Sequence, residues 1–257
     1  MKRIIALLSL LLLTSCCQVD TSFTPTEAPI TGYNFKNMHY PASTSPSLDP
    51  NVTLQYYNRR IAKRTGGVRA IDQSSGYSFA FTNDVYEDLT YINNKITITA
   101  RNTYYPGPQG TTEIILDGQS RMTRKIAVQP YPSSLDTIKY SYTGNQLTQS
   151  TTGKYQAEHH ISNYYYNSNS NLDSIVTKKY YSGEVMYLKV KETFTNYDTA
   201  ANPLKSLFIF NETFLRSLSQ NNYMKYEMNS YDPDNTLMDH EDRQWNIPYN
   251  GNGAINF

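Results

Sequence analysis

The chain has 257 residues, 23 Lys+Arg against 22 Asp+Glu, and 24 tyrosines against one tryptophan. A formal charge of +1 with no long basic or acidic tract argues against nucleic acid as a partner, because phosphate binding needs a concentrated positive field. An aromatic content of 13% argues against disorder, and the two cysteines, Cys16 and Cys17, leave the rest of the chain without disulfides, thiolate nucleophiles or cysteine-based metal sites.

At the start, Lys2 and Arg3 precede a largely apolar core from Ile4 to Leu13, followed by Leu13-Thr14-Ser15-Cys16. That core is too short for a permanent transmembrane helix, which needs roughly 20 residues. The tetrapeptide resembles the lipobox of bacterial lipoprotein signals. Small residues at Thr14 and Ser15 would let a peptidase cut before Cys16. Its thiol would then take a diacylglyceryl group and its new amino terminus an acyl chain such as palmitate, three chains where one alone is marginal. Residues 1–15 are read as signal peptide, 16–50 as a lipidated tether and 51–257 as one all-β domain. The tether carries Pro25, Pro29, Pro41, Pro46 and Pro50 among Ser, Thr and Asn. Its Tyr33-Asn34-Phe35 is the stretch suited to dock on the domain.

From about Ser78 onward the pattern is one of successive hairpins. Lys95-Ile96-Thr97-Ile98-Thr99 alternates as a half-buried strand does, joined through Asn93-Asn94 to Leu89-Thr90-Tyr91-Ile92. Asp117-Gly118, Gly144-Asn145, the Asn/Ser stretch after Tyr166, Ser182-Gly183 and Asn250-Gly251 mark further turns, Asp117-Gly118 as a two-residue one. Thr65-Gly66-Gly67 also reads as a turn. The fold predicted is an all-β antiparallel meander, a strongly curved sheet or open barrel, with one or two short helices near 202–218. There Asn202 is the N-cap, Pro203 the first helical residue, and Leu204, Leu207, Phe208, Leu215 and Leu218 an apolar stripe.

Candidate chemistry is sparse. Of the four histidines, His39 lies in the tether, and His159-His160 reads as a solvated loop pair whose neighbours point apart if extended. Asp232-Pro233-Asp234-Asn235, continuing to Asp239-His240-Glu241-Asp242, has acids at the first and third positions of a calcium loop. Leu237 stands where that loop needs Gly and Arg243 where it needs Glu, so the segment reads as a turn and a solvated loop. No nucleophile elbow, zinc-protease helix or phosphate loop is present, and no catalytic, metal-ligating or cofactor-binding residue is assigned. Glu192 and Glu212 both occur in Glu-Thr-Phe and are given no role. Tyrosines and Trp245 are suited to a binding surface for sugars, peptides or amphiphiles, or simply to covering sheet faces.

The hairpin units, with Phe194-Thr195-Asn196-Tyr197-Asp198, Asn202-Pro203-Leu204 and Leu218-Ser219-Gln220-Asn221-Asn222, resemble a family of exported lipoproteins from Bacteroidetes-type bacteria. That family has tyrosine-rich hairpins akin to YD repeats, a proposed porin-like β fold and no established activity. The resemblance spans roughly residues 78–257 and implies an all-β lipoprotein.

The sequence therefore points to a non-catalytic binding or accessory module, anchored to the cell envelope through Cys16. Its partners are the membrane and a glycan, an amphiphile or an envelope protein. A lipid carrier with a β cavity and a carboxylate-dependent glycan hydrolase are the alternatives. Gln18-Val19-Asp20-Thr21 lacks an acidic surface-export run, which favours an outer-membrane position facing the periplasm.

Overall fold

The computed structural model describes residues 29–35, 38, 50–73, 76–128, 135–155 and 158–249. The signal peptide, Cys16, Cys17, His39 and the Asn250-Gly251 turn lie outside the described residues. One 14-stranded sheet runs in strict sequence order, and each described pairing is antiparallel. Its first half is β1 (Gly32–Asn34), β2 (Asn51–Tyr57), β3 (Arg60–Gln73), β4 (Gly76–Ile92), β5 (Lys95–Asn102), β6 (Tyr105–Leu116) and β7 (Met122–Val128). The second half is β8 (Leu135–Thr143), β9 (Gln146–Tyr155), β10 (Glu158–Tyr166), β11 (Leu172–Tyr181), β12 (Glu184–Tyr197), β13 (Tyr223–Tyr231) and β14 (Leu237–Gln244). The first and last strands do not pair, so the meander is an open sheet.

The hairpins begin at β2, earlier than Ser78. Tyr33 and Phe35 dock as anticipated: β1 pairs with β2 and both rings are buried. Thr65-Gly66-Gly67 is not a turn. It lies inside β3 at a register shift against β4. Gly66 sits at φ +103°, and a Cβ there would meet the Phe81 ring at 2.7 Å, so both the backbone and the packing require glycine.

Asp117-Gly118 also turns differently from expectation. The loop is Asp117–Arg121, closed by Asp117 N–H donating to Arg121 O at 2.9 Å, and the left-handed residue is Ser120, at φ 62°. The Asp117 side chain makes the difference, since its Oδ1 accepts from the backbone of Gln119 and Arg121. Asn167–Asn171 repeats the arrangement, with Ser170 at φ 59°, and Asp232–Thr236 repeats it with Asn235 at φ 62°. The expected turn over 232–235 is thus present. The residues after it form the edge strand β14 rather than a loop.

Between β12 and β13 the chain leaves the sheet for a 3-10 helix (Pro203–Leu207) and α1 (Asn211–Ser217). Asn202 caps the first, its Oδ1 accepting from Leu204 N–H at 3.0 Å, with Pro203 in the first turn. Leu204, Leu207, Ile209 and Phe210 are buried with Ile96, Ile98, Ile114 and Leu147 of the sheet. This two-helix insert is touched from both flanks of the sheet: by Tyr33 of β1 and Arg64 of β3, by Tyr140 of β8, and by Tyr223 of β13. The sheet therefore curls around the insert as around a plug.

Tyrosine serves the same purpose along this wall. Tyr56 donates to Ile30 O at 2.7 Å, Tyr91 to Ile61 O at 3.0 Å and Tyr142 to Met122 O at 2.9 Å, while Tyr197 reaches Leu172 O. Each ring covers apolar surface and each hydroxyl satisfies a backbone carbonyl of another segment, which phenylalanine would leave bare. Burial pushes Tyr91 and Tyr142 up to about 12.

Candidate functional site

The densest polar chemistry lies where α1 meets the sheet. Glu212, in the first turn of α1, and Arg216, four residues later, share one helical face. They face opposite flanks of the curl.

Glu212 Oε1 accepts from the Tyr33 hydroxyl at 2.5 Å and from Arg64 Nη2. Arg64 Nε donates to the Tyr33 oxygen at 3.1 Å, and Nη1 stands 3.5 Å from Glu87 Oε2. Lys125 of β7 donates to Asn211 Oδ1 at 2.5 Å on the same side of the plug. Two bases and two acids are thereby gathered on one side of the plug, with Arg64 and Glu212 in contact with Tyr33. Burial opposes the Arg64 charge, but Glu212, Tyr33 and Glu87 together hold it well above the usual guanidinium value. Burial raises Glu87, with Arg64 pulling the other way, and burial lowers Lys125. Burial, then Glu212, pushes the Tyr33 phenol well up.

Arg216 is held differently. It is fully buried, with Nη1 donating to Tyr223 O at 2.8 Å. Its guanidinium lies 4.2 Å from the Tyr223 ring centre and 4.7 Å from that of Trp245. Nε and Nη2 are buried without a hydrogen-bond partner, as is the Tyr223 hydroxyl. Burial lowers Arg216, with Tyr223 and then Asp198 opposing. Beside it Glu192 points inward and accepts from Tyr226 at 3.0 Å, and burial raises this acid too. Glu192 and Glu212, equivalent in their Glu-Thr-Phe triplets, therefore both stand inside the curl on separate clusters.

The remaining sequence candidates stay apart. His159 and His160 are on β10, a strand and not a loop, because both flanking strands pair through them. His159 stacks on Tyr180 at 5.1 Å, and His160 stands 3.8 Å from Glu158. His240 is on β14, its Nδ1 2.8 Å from Asn229 Oδ1. Asp232 spends its Oδ1 on the loop amide of Thr236. Among the described residues no group of three His, Cys, Asp or Glu is placed to hold a metal. Trp245 is a wall of the Arg216 cluster rather than a surface ring.

Glu87 and Glu212 meet on one guanidinium. A glycosidase needs two carboxyl groups that reach the scissile bond. Glu212 is buried and bonded to two donors, which makes this a structural acid. The arrangement neutralises charge and pins the plug.

The outward face is of a different kind. By strand alternation it carries Lys95, Arg101, Glu113, Arg124, Lys139 and Lys191, interleaved with Ile115, Ile126, Ile161 and Val176. A membrane-spanning β-barrel presents an apolar band outward. Here charged side chains break up the apolar positions, so no continuous apolar band is formed by this register. Among the described residues no helix is long and apolar enough to cross a membrane.

No family model matches the chain, and no curated protein is similar to it. Among solved structures it is similar to a porin-like protein from Bacteroides vulgatus, at 11% identity and a TM-score of 0.49 over 80% of this chain and 84% of that one. It is likewise similar to a porin-like protein from Bacteroides uniformis, at 11% identity and a TM-score of 0.47 over 80% of each chain.

Proposed function

We propose that this protein is a non-catalytic binding module of the bacterial cell envelope, held to the outer membrane by lipid on Cys16 and facing the periplasm. The observation that carries this reading is the charged outward register from β5 to β12. A face interrupted by these charges supports attachment through the lipobox at Leu13–Cys16 rather than through the sheet itself. The interior supports the absence of catalysis, since Glu212, Arg64 and Tyr33 are engaged with one another and Glu192 with Tyr226.

The test is expression of the full chain in a bacterium that processes lipoproteins, with a clickable palmitate analogue and membrane fractionation. The wild type is expected to take the label and sediment with the outer membrane. Cys16→Ala is expected to lose the label and become soluble. A Cys16→Ala variant that still fractionates with membrane would overturn the anchor.

A further inference from the structure

The register of the sheet lines up a row of outward side chains that its sequence scatters. Arg124 of β7 is opposite Lys139 of β8, which is opposite Thr151 of β9 and then Ile161 of β10. Ile161 is opposite Lys178 of β11, and Lys178 is opposite Lys189 of β12. Lys191, two residues along β12, widens the row on the same face. Arg124, Lys139 and Lys191 are exposed, and Lys178 and Lys189 are half-exposed.

Two of these neighbours, Arg124–Lys139 and Lys178–Lys189, place like charges directly opposite each other. Such pairs destabilise a sheet. No acid relieves them, as none of the five cations makes an ion pair among the described residues. The nearest outward acids stand at the flanks and are engaged: Glu113 with Lys95 at 2.8 Å, and Glu227 with Asn229 at 3.1 Å. The first half of the sheet shows what a neutralised face looks like, with Arg101 on Asp88 at 2.8 Å and Lys63 over the Tyr86 ring at 4.0 Å.

Aromatic rings border the row. Tyr180 stacks on His159 just beyond Lys178, and Lys189 lies 5.4 Å from the Tyr231 ring centre. Five strand spacings separate Arg124 from Lys189, about 24 Å. The row crosses the strands and so bends with the curl of the sheet around its plug. A flat bilayer would touch only the tangent part of such a line, whereas a flexible linear polymer can follow it.

We infer that this row is a docking track for a linear acidic polysaccharide, with the cations on its carboxylates and the bordering rings on sugar faces. It rests on the reading of the protein as a binding module and specifies the ligand class. The anchor is not involved, so failure of the Cys16 experiment and failure of this one are distinct results.

The test is binding of the full chain, in nonionic detergent at low salt, to polygalacturonate, with neutral dextran and single-stranded DNA as comparison polymers. After detergent removal, phosphatidylglycerol vesicles are read against phosphatidylcholine vesicles, which cancels insertion of the lipid anchor. The triple variant Lys178→Gln, Lys189→Gln, Lys191→Gln is compared with Lys63→Gln, Lys95→Gln, Arg101→Gln, which removes the same charge from the neutralised half. Expected is salt-sensitive binding to polygalacturonate, weakened roughly tenfold by the first triple and within about twofold of wild type for the second. Equal losses in both variants, equal binding to dextran, or binding to anionic vesicles or DNA without polygalacturonate would overturn the proposal, as would no binding at all.

Discussion

Arg64 and Arg216 are two answers to one problem, a guanidinium buried beside the same short helix. Arg64 is surrounded by acids: Glu212 in contact, Glu87 at 3.5 Å, and the Tyr33 hydroxyl between. Arg216 has a carbonyl, two aromatic faces and two donors with nothing to bond. The flanks of the sheet are thus fastened to the plug by unlike means. The β1–β4 flank is held by charge pairing that depends on every partner. The β13 flank is held mainly by packing, in which the charge is tolerated rather than required.

The largest effect is expected from Glu212→Gln, which leaves Arg64 buried without its contact acid and costs about 3–5 kcal/mol. Denaturant titration of the whole chain measures it. Arg216→Met, which keeps the stem volume and removes the unbonded donors, is expected to cost only about 1–2 kcal/mol through lost ring and carbonyl contacts. If Arg216→Met matches Glu212→Gln, the two centres are alike and the contrast fails. The contrast sharpens if Arg64→Met with Glu212→Leu is less destabilised than Glu212→Gln alone, since an exchanged pair leaves no orphaned charge.

A smaller, pH-dependent effect belongs to Glu87. Burial raises it from 4.5, so the folded protein keeps a proton that the unfolded chain releases. The stability this contributes is complete below the ordinary carboxylate range and is lost as pH rises through the raised value. Thermal denaturation is expected to show stability falling from pH 4.5 toward neutrality, and Glu87→Gln to flatten that slope. A slope unchanged in the variant would assign it to another group, Glu192 being the next candidate because burial raises it as well. The smallest effect is at the exposed pair Lys95–Glu113, where Lys95→Gln is expected to change stability by less than about 0.5 kcal/mol.

The meander and the plug are legible in the sequence because they rest on local signals. Asn93 turns with φ 54° where Asn93-Asn94 marks a hairpin, and Asn202-Pro203 starts the helical insert as its cap chemistry demands. The charged cluster is hidden for two reasons. A bulge between Gln55 and Tyr56 shifts the pairing of β3, so alternation counted from Ile61 places Arg64 outside when it lies inside. And Glu212 finds its partners at positions 33 and 64, a separation that periodicity cannot see. One signal does exist: Glu212 and Arg216 interrupt the apolar-rich stretch from Leu207 to Leu218 four residues apart, an odd place for two charges unless each has a buried role. The basic row is illegible for a related reason, because it exists only in register across six strands.

The strict order of the strands also sets a timetable. Each hairpin joins neighbours in sequence, so a chain that emerges amino terminus first can add strands in turn, without waiting for distant partners. The exceptions are the bonds to the plug, from Tyr33 and Arg64 to Glu212 and from Lys125 to Asn211, the first spanning 179 residues. Until the plug arrives, β1 has only three residues of pairing to hold it, and the interior of the curl has no lid over its apolar side chains. Arrival of α1 is therefore the step that locks the first flank, and everything from β1 to β12 stands uncovered until then.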